Sequence, residues 1–431
     1  MINVKELAGK PELVEAMKNN IKARHVDVDV DQVVDLYTAK LKAEQELESL
    51  RAQSNKNAEM IKSAPVAEKA SYVTAGRELK QQIAELTTYY NTILTNFNDA
   101  SLKLPNWMSP DVPVGKGDED NKVIKTHLEP AQFSFKPKDH LELGRELDLL
   151  DFEAGAKVTG PKFYFLKKEA VLLQLAIKSF AYKKAMERGF IPLQTPDLAR
   201  NSVLQGIGFA PRGAESNTYG LDGEDLSLIA TAEIPVGGMH ANDTFDAQRL
   251  PLLYVAESHC FRREAGTAGR ASKGLYRVHQ FEKIELFAFC TPAQSDGMLE
   301  QIRELEEAIY QALRLPYQIV LNCSADLGAP AYKKYDIEAW MPGKGEGGEY
   351  GEITSASNCT TYQARRLNIR YKNPDNGKNE FLHTLNGTAV ALSRTTVAIM
   401  ENYQTAEGGI KIPDVLVPYM PVDYIAPLKN R

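Results

Sequence analysis

Residues 257–287, ESHCFRREAGTAGRASKGLYRVHQFEKIELF, decide the fold. The apolar run Leu252–Ala256 enters this stretch as a buried strand would, and Gln280–Phe289 alternates polar and apolar as a return strand. Between them, Phe261–Gly274 is dense in charge and glycine: Arg262, Arg263, Glu264, Gly266, Gly269, Arg270, Lys273 and Gly274. The pattern predicts an antiparallel pair joined by a long basic loop. Loops over ~12 residues without structure of their own are usually functional or disordered. Clustered arginines on such a loop suit a triphosphate, because a guanidinium makes paired hydrogen bonds to phosphate. Taken alone, the stretch also allows a solvated charged hairpin, as the lesser reading.

Upstream, a different periodicity rules. Tyr72, Gly76, Leu79, Ile83, Leu86, Tyr90, Ile93, Phe97 and Ala100 recur at alternating four- and three-residue steps, a coiled-coil seam. A weaker seam (Val33, Leu36, Ala43, Leu47, Leu50, Ile61) precedes it, interrupted by Lys40, Ser54 and Asn57. Lys62-Ser63-Ala64-Pro65 breaks the helix between the two, since proline disfavours helical backbone in the residue before it. An antiparallel two-helix hairpin over about 31–103 is expected, with Asp31 as its N-cap. Lys56, Lys62, Lys69, Arg77 and Lys80 fall toward its tip, where phosphates could be met. A dimerisation hairpin or packed helical domain fits the same pattern. Residues 104–121, LPNWMSPDVPVGKGDEDN, hold three prolines and read as a linker, dividing the chain into domains at 1–110 and 111–431.

Downstream, strands are separated by irregular connections rather than βαβ repeats. The expectation is an α+β domain with a mostly antiparallel sheet flanked by helices. Helices are expected over Glu169–Gly189 and Asp296–Leu313, with strands at 190–193, 226–230, 317–322 and 334–341 and a flexible glycine-rich insertion at 343–351. Thr231-Ala232-Glu233 is read as strand, with Thr231 and Glu233 on one face; together with Glu285 they suit an ammonium group and a hydroxyl. Gly387, Ala389, Ala391 and Ser393 lie two apart and, in a strand, leave one face bare for a flat group, with Arg394 at the following helix junction. Tight packing of a helix on that face is the competing reading. Glu352, Thr354 and Ser355 are oxygen donors suited to Mg²⁺ beside ATP.

The totals exclude several classes. The chain has 431 residues, 43% hydrophobic and 25% charged, and a net charge of −6. Contact with nucleic acid must therefore rest on local basic patches. Four scattered cysteines, with no CxxC, argue against a disulfide framework or a cysteine-rich zinc site and suit a reducing, cytoplasmic setting. The N-terminus lacks the apolar core of a signal peptide, and no apolar run approaches the ~18 residues that span a membrane. No GxxxxGK[ST], strand-linked GxGxxG, HExxH or GxSxG occurs, and the seven histidines are dispersed as structural residues would be.

FIPLQTP at 190–196, FRREAG through HQFEKIEL at 261–286, and NGTAVALSRT at 386–395 resemble the three signature motifs of class II aminoacyl-tRNA synthetases. More narrowly, the chain resembles the bacterial-type seryl-tRNA synthetase family. The likeness runs nearly end to end, through GRELDLLDFEAGAKVTGPKFYFL at 144–166, TAEIP at 231–235, KKYDIEAW at 333–340, EITSASNC at 352–359 and YQARR at 362–366.

This resemblance implies an ATP-dependent serine ligase acting on tRNA(Ser), with tRNA(Sec) as a further acceptor. It implies a serine site of Thr231, Ala232, Glu233, Arg262, Glu285, Asn386 and Thr388. The ATP site would take Arg262, Arg263, Glu264, Val278, Phe281 (stacking on adenine), Arg394 and the run Glu352, Ile353, Thr354, Ser355. Arg262 and Arg394 would be catalytic, and Glu352 with Ser355 would hold Mg²⁺. Pro196 would lie at a homodimer interface, the helical arm would bind tRNA, and the loop tip through Lys273 would be free to move toward the tRNA acceptor end. Ala389 and Ser393 stand where the family often has glycine, and Gly351 where it often has arginine. The Cys/His ligands of the family's zinc-dependent variant have no counterpart. An amino-acid:carrier-protein ligase, and a catalytically silent tRNA-binding regulator, are the other readings.

Overall fold

The computed structural model describes residues 2–209, 217–264 and 273–428. The chain divides into two compact units, Met1–Trp107 and Met108–Arg431.

The first unit is helical: α1 (Val4–Ala8), α2 (Pro11–Ala23), α3 (Val30–Ser63) and α4 (Val66–Lys103). Helices α3 and α4 form the expected hairpin. Ala64 and Pro65, both extended, make the turn. Every residue of the seven-residue seam in α4 is buried or half-buried. Tyr37 meets Phe97 at 5.6 Å between ring centres, and Asn57 donates to the Tyr72 carbonyl at 2.9 Å, which fixes the antiparallel register. Gly76 is bare where Asn57 crosses: a Cβ there would lie 2.9 Å from the Asn57 amide nitrogen. The N-cap is Asp29 rather than Asp31; the Asp29 carboxylate accepts from the Gln32 N–H, and Asp31 sits in the first turn. Lys56, Lys62, Lys69, Arg77 and Lys80 are all exposed.

The second unit is built on an eight-stranded sheet. Its strands are β1 (Lys122–His127), β2 (Ile191–Gln194), β3 (Leu252–Phe261), β4 (Gln280–Cys290), β5 (Tyr317–Leu321), β6 (Lys333–Met341), β7 (Glu349–Asn358) and β8 (His383–Ala391). They lie in the order β1-β5-β6-β7-β8-β4-β3-β2. All pairs are antiparallel except β2 with β3, which is parallel. The helices are α5 (His140–Glu146), α6 (Phe152–Thr159), α7 (Glu169–Met186), α8 (Asn201–Ile207), α9 (Glu233–Gly238), α10 (Ser295–Ala312), α11 (Tyr362–Leu367) and α12 (Leu392–Asn402).

Strand alternation explains where the core and the site lie. In β4, Ile284, Leu286, Ala288 and Cys290 join the main core, with Leu173 and Ile177 of α7, Leu299 and Ile302 of α10, and Val397 of α12. On the opposite face, Phe287 and Phe289 pack beneath Leu204, Ile207, Ile234 and Leu367. Further along that face, Phe281, Lys283 and Glu285 line an open cavity. One face of one strand is thus covered at one end and free at the other.

Three local expectations change. Thr231-Ala232-Glu233 is not strand: Ala232 is helical in backbone and Glu233 begins α9, its N–H bonded to the Thr231 hydroxyl at 3.2 Å. Residues 343–351 are not an insertion between elements: 343–348 belong to the turn of the β6–β7 hairpin, where the Gly343 N–H donates to Glu401 at 2.8 Å, and 349–351 begin β7. The small-residue face of β8 does not run through to Ser393. The strand ends at Ala391, and Ala389 is the extra residue of a bulge opposite Ile284–Glu285. Before the bulge, Gly387 faces α10, where a Cβ would lie 2.3 Å from Ile302 and 2.7 Å from Glu306. After it, Ala391 and Ser393 line the cavity.

Candidate active site

A cavity of about 540 Å³ lies on the open face of the sheet. Arg262, Arg277, Lys283, Lys334 and Arg394 bring positive charge to it, and Glu233, Glu264, Glu285 and Glu352 negative charge.

One end is a polar pocket. Glu233 accepts from the Gln363 amide at 2.6 Å and from Asn386 at 2.8 Å. Gln363 is held in turn by the Thr384 hydroxyl, which donates at 2.7 Å. Burial, and after it the charge of Glu285, pushes the Glu233 carboxyl up to about 7. Glu285 is ion-paired with Lys283, two residues away on the same strand face. Burial raises Glu285 as well, with Lys283 and Arg262 opposing it. The β8 bulge puts Thr388 directly opposite Glu285. Thr231 is buried in the lining. Ala232 is buried but is not among the lining residues.

Arg262 bridges the middle. Its Nε and Nη2 both donate to the Ala230 carbonyl at 3.3 Å, and its guanidinium lies 5.2 Å from the centre of the Phe281 ring. Val278 is buried beside Phe281 in the lining. Glu264 is paired with Arg277 at 2.8 Å. Arg263 turns elsewhere: it is not among the lining residues, and its guanidinium lies over Tyr219 at 5.9 Å. Gly266, Gly269 and Arg270 lie outside the described residues. Lys273, the end of the segment expected to move toward the tRNA acceptor end, is ion-paired with Asp139.

The other end holds Arg394 and Glu352. Arg394 is in the first turn of α12, pairs with the Glu352 carboxylate at 3.2 Å and donates to the Glu352 carbonyl at 3.0 Å. Desolvation works to raise the Glu352 carboxyl, but Arg394, Lys334 and Arg262 outweigh it and the net shift is downward. The Glu352 side chain remains 45% exposed, so its oxygens face the cavity. A second bulge matters here. Ile337 pairs with Thr354 and Glu338 with Glu352, leaving Ile353 as the extra residue. Regular alternation would send Glu352 and Ser355 to opposite faces; the bulge brings both to the cavity. Ile353 turns into the core, and the Thr354 hydroxyl donates to Glu306 of α10 at 2.9 Å. Thr354 therefore borders the cavity without offering its hydroxyl.

Lining residues beyond those read from sequence include Lys283, Tyr276 and Lys334, and Gln363 supports Glu233 from outside the lining. Lys283 carries a usable signal, being two positions from Glu285. Gln363, Tyr276 and Lys334 carry none that is local. Lys334 is paired with Asp336 at 3.2 Å.

A mostly antiparallel sheet with arginines from a strand-end loop and from a helix start, facing one cavity, is the architecture of a class II aminoacyl-tRNA synthetase. Comparison supports this. Residues 219–403 match the tRNA synthetase class II core domain (G, H, P, S and T), and residues 1–108 the seryl-tRNA synthetase N-terminal domain. A serine–tRNA ligase of Treponema denticola is 51% identical over 96% of this chain and 98% of that relative. The structure of seryl-tRNA synthetase from Pyrococcus horikoshii complexed with ATP superposes with a TM-score of 0.88 at 39% identity, covering 99% of this chain and 100% of that one. Cytoplasmic serine–tRNA ligase from Naegleria fowleri, in complex with AMP, gives 0.82 at 32% identity over 96% of each chain. The chain belongs to the seryl-tRNA synthetase family, the serine–tRNA ligases of class II.

Proposed function

We propose that the cavity activates L-serine with ATP and passes the seryl group to tRNA(Ser). The observation that carries this is the division of one sheet face into two chemically distinct ends. Glu233, Glu285 and Thr388 stand at one end, Arg394, Glu352 and Ser355 at the other, with Arg262 between them. Serine places its ammonium group at Glu233 and its hydroxyl between Glu285 and Thr388. A pocket that hydrogen-bonds a hydroxyl rejects alanine, because its buried polar groups would be left unpaired. Arg262 faces the serine carboxylate and the α-phosphate, Arg394 the γ-phosphate side, and Phe281 the adenine with Glu264 at its edge.

The serine carboxylate attacks the α-phosphorus in line, a phosphorus–oxygen bond breaks and pyrophosphate leaves. The terminal ribose hydroxyl of the tRNA then attacks the adenylate carbonyl, giving the ester and AMP. No general base is needed in the first step, since the carboxylate is ionised at neutral pH. This chain contributes alignment and charge neutralisation. Glu352 and Ser355, brought to one face by the bulge at Ile353, would hold Mg²⁺ as a carboxylate and a hydroxyl. An ion held there would supply neutralisation of phosphate charge.

The tRNA partner engages the α3–α4 hairpin, whose exposed Lys56, Lys62, Lys69, Arg77 and Lys80 suit a phosphate backbone. RNA helices are recognised mainly by shape, which fits the long variable arm of serine tRNA. The catalytic unit works as a homodimer. Leu172, Leu175 and Met186 on α7 and Ile191 on β2, the elements that precede Pro196 in the chain, are exposed apolar side chains, as an interface would leave them in one chain. The setting is the cytoplasm, where these substrates are found; no helix among the described residues is long and apolar enough to cross a membrane. Neither the carrier-protein ligase nor the silent regulator gains support from the relatives. Melting temperature tests the reading: serine added to ATP raises it above the value with ATP alone, and alanine added to ATP does not.

A further inference from the structure

Segment Lys273–Tyr276 returns the arginine-bearing loop to β4, and α12 holds it at two points. Arg394 reaches it directly. Its Nε donates to the Tyr276 carbonyl at 3.2 Å, and its guanidinium lies 4.7 Å from the centre of the Tyr276 ring. On the ring's other contact, Gly351 is bare: a Cβ there would lie 3.0 Å from the Tyr276 hydroxyl. Seven residues beyond Arg394, two turns along the same helix face, stands Glu401. Glu401 reaches the segment through His140. Its Oε1 accepts from the His140 backbone N–H at 3.0 Å and from the His140 ring Nδ1 at 2.8 Å. The Leu275 N–H then donates to His140 Nε2 at 3.2 Å.

A backbone N–H can only donate, so Nε2 is the bare nitrogen and Nδ1 carries the proton given to Glu401. The relay is enclosed: His140 is 4% exposed, Glu401 1% and Leu275 0%. Space is tight as well. Gly274 has φ +58°, and a Cβ on it would lie 2.2 Å from His140 Nε2.

We infer that His140 is a positioning residue for the ATP end of the site. Backed by Glu401, it fixes Leu275–Tyr276 and so sets the carbonyl and ring against which Arg394 is oriented. The inference rests on the reading of Arg394 as a phosphate-binding group. A histidine that merely stabilised the fold would affect ATP and serine kinetics alike.

The test is serine-dependent pyrophosphate exchange by the full-length protein, with ATP and serine varied separately and melting temperature recorded. His140→Ala raises KM for ATP about tenfold, the scale of a lost hydrogen bond in a positioning network, while KM for serine stays within about twofold. His140→Gln, whose amide accepts from Leu275 and donates to Glu401, recovers most of the loss. Gly274→Ala pushes on Nε2 from the loop side and shows the same ATP-selective rise. An ATP KM that stays at the wild-type value in His140→Ala, or that rises no more than the serine KM, overturns the inference; so does a glutamine variant no better than alanine. Where His140→Ala does not fold, Gly274→Ala decides by the same criterion. Failure of the wild-type protein to exchange with serine would instead defeat the functional reading itself.

Discussion

The Asn386 amide donates to the Glu233 carboxylate across 2.8 Å, joining a strand to the first residue of a short helix 153 positions earlier. Glu233 is further bound by Gln363, yet burial and the nearby Glu285 still push its carboxyl up to about 7. Its folded value is raised above the unfolded ~4.3, so its contribution to stability is fully present below that value and is lost as pH rises through about 7. Bound serine works the other way, because its ammonium group favours the ionised carboxylate. The KM for serine therefore climbs on acidification below about 7, approaching about tenfold per pH unit, while the KM for ATP changes little. Glu233→Gln flattens that profile. A serine KM constant from about pH 8 to about pH 5.5 would show that Glu233 does not meet the ammonium group.

Arg262 lies where its charge acts on both Glu285 at one end and Glu352 at the other, with its guanidinium 5.2 Å from the centre of the Phe281 ring and anchored to the Ala230 carbonyl. Arg262→Ala lowers kcat/KM for serine-dependent pyrophosphate exchange by at least about a hundredfold, the scale of losing one preorganised donor to developing charge. Near-normal exchange by this variant would remove Arg262 from the chemistry.

Gly387 is a packing residue rather than a ligand-facing one. A Cβ at this position meets Ile302 at 2.3 Å and Glu306 at 2.7 Å, both on α10. Gly387→Ala should cost about 1–3 kcal/mol of stability through overpacking, read as a lower denaturant midpoint. The KM for ATP should stay near wild type. An unchanged midpoint with a raised ATP KM would return Gly387 to the ligand face.

The proposed role of the helical hairpin is confined to the second step, the charging of tRNA. Deleting residues 31–103 leaves pyrophosphate exchange at wild-type rates and lowers the kcat/KM of tRNA charging by orders of magnitude. Charging of total tRNA followed by separation of the acceptors reports which tRNAs are used. If the truncated protein charges as well as the full chain, the hairpin has another role.

Much of this was legible in the sequence. The seven-residue repeat over 72–100, with the weaker seam before the break at Pro65, located both long helices, because that period and that residue each have one dominant structural consequence. The β3–β4 pair followed from period-two alternation, and the same period places Lys283 beside Glu285. The two bulges were not legible. An extra residue at Ile353 or Ala389 depends on the register with partner strands, which neighbouring side chains do not report. Register decides that Gly387 meets α10, as the packing reading of that run allowed, while Ala391 lines the cavity, and that Thr354 borders the cavity with its hydroxyl turned to Glu306. Arg263 shows a further limit: it adjoins Arg262 in sequence, but its side chain lies at Tyr219. The His140–Glu401 contact spans 261 positions, and only the fold brings those residues together.

The central claim is that one cavity selects serine and activates it with ATP. Pyrophosphate exchange with serine, alanine and threonine supplied in turn to the full-length protein tests it most directly. Exchange with serine, and at most a trace with the other two, is the predicted result. Exchange as fast with alanine or threonine, or none with serine, would contradict it.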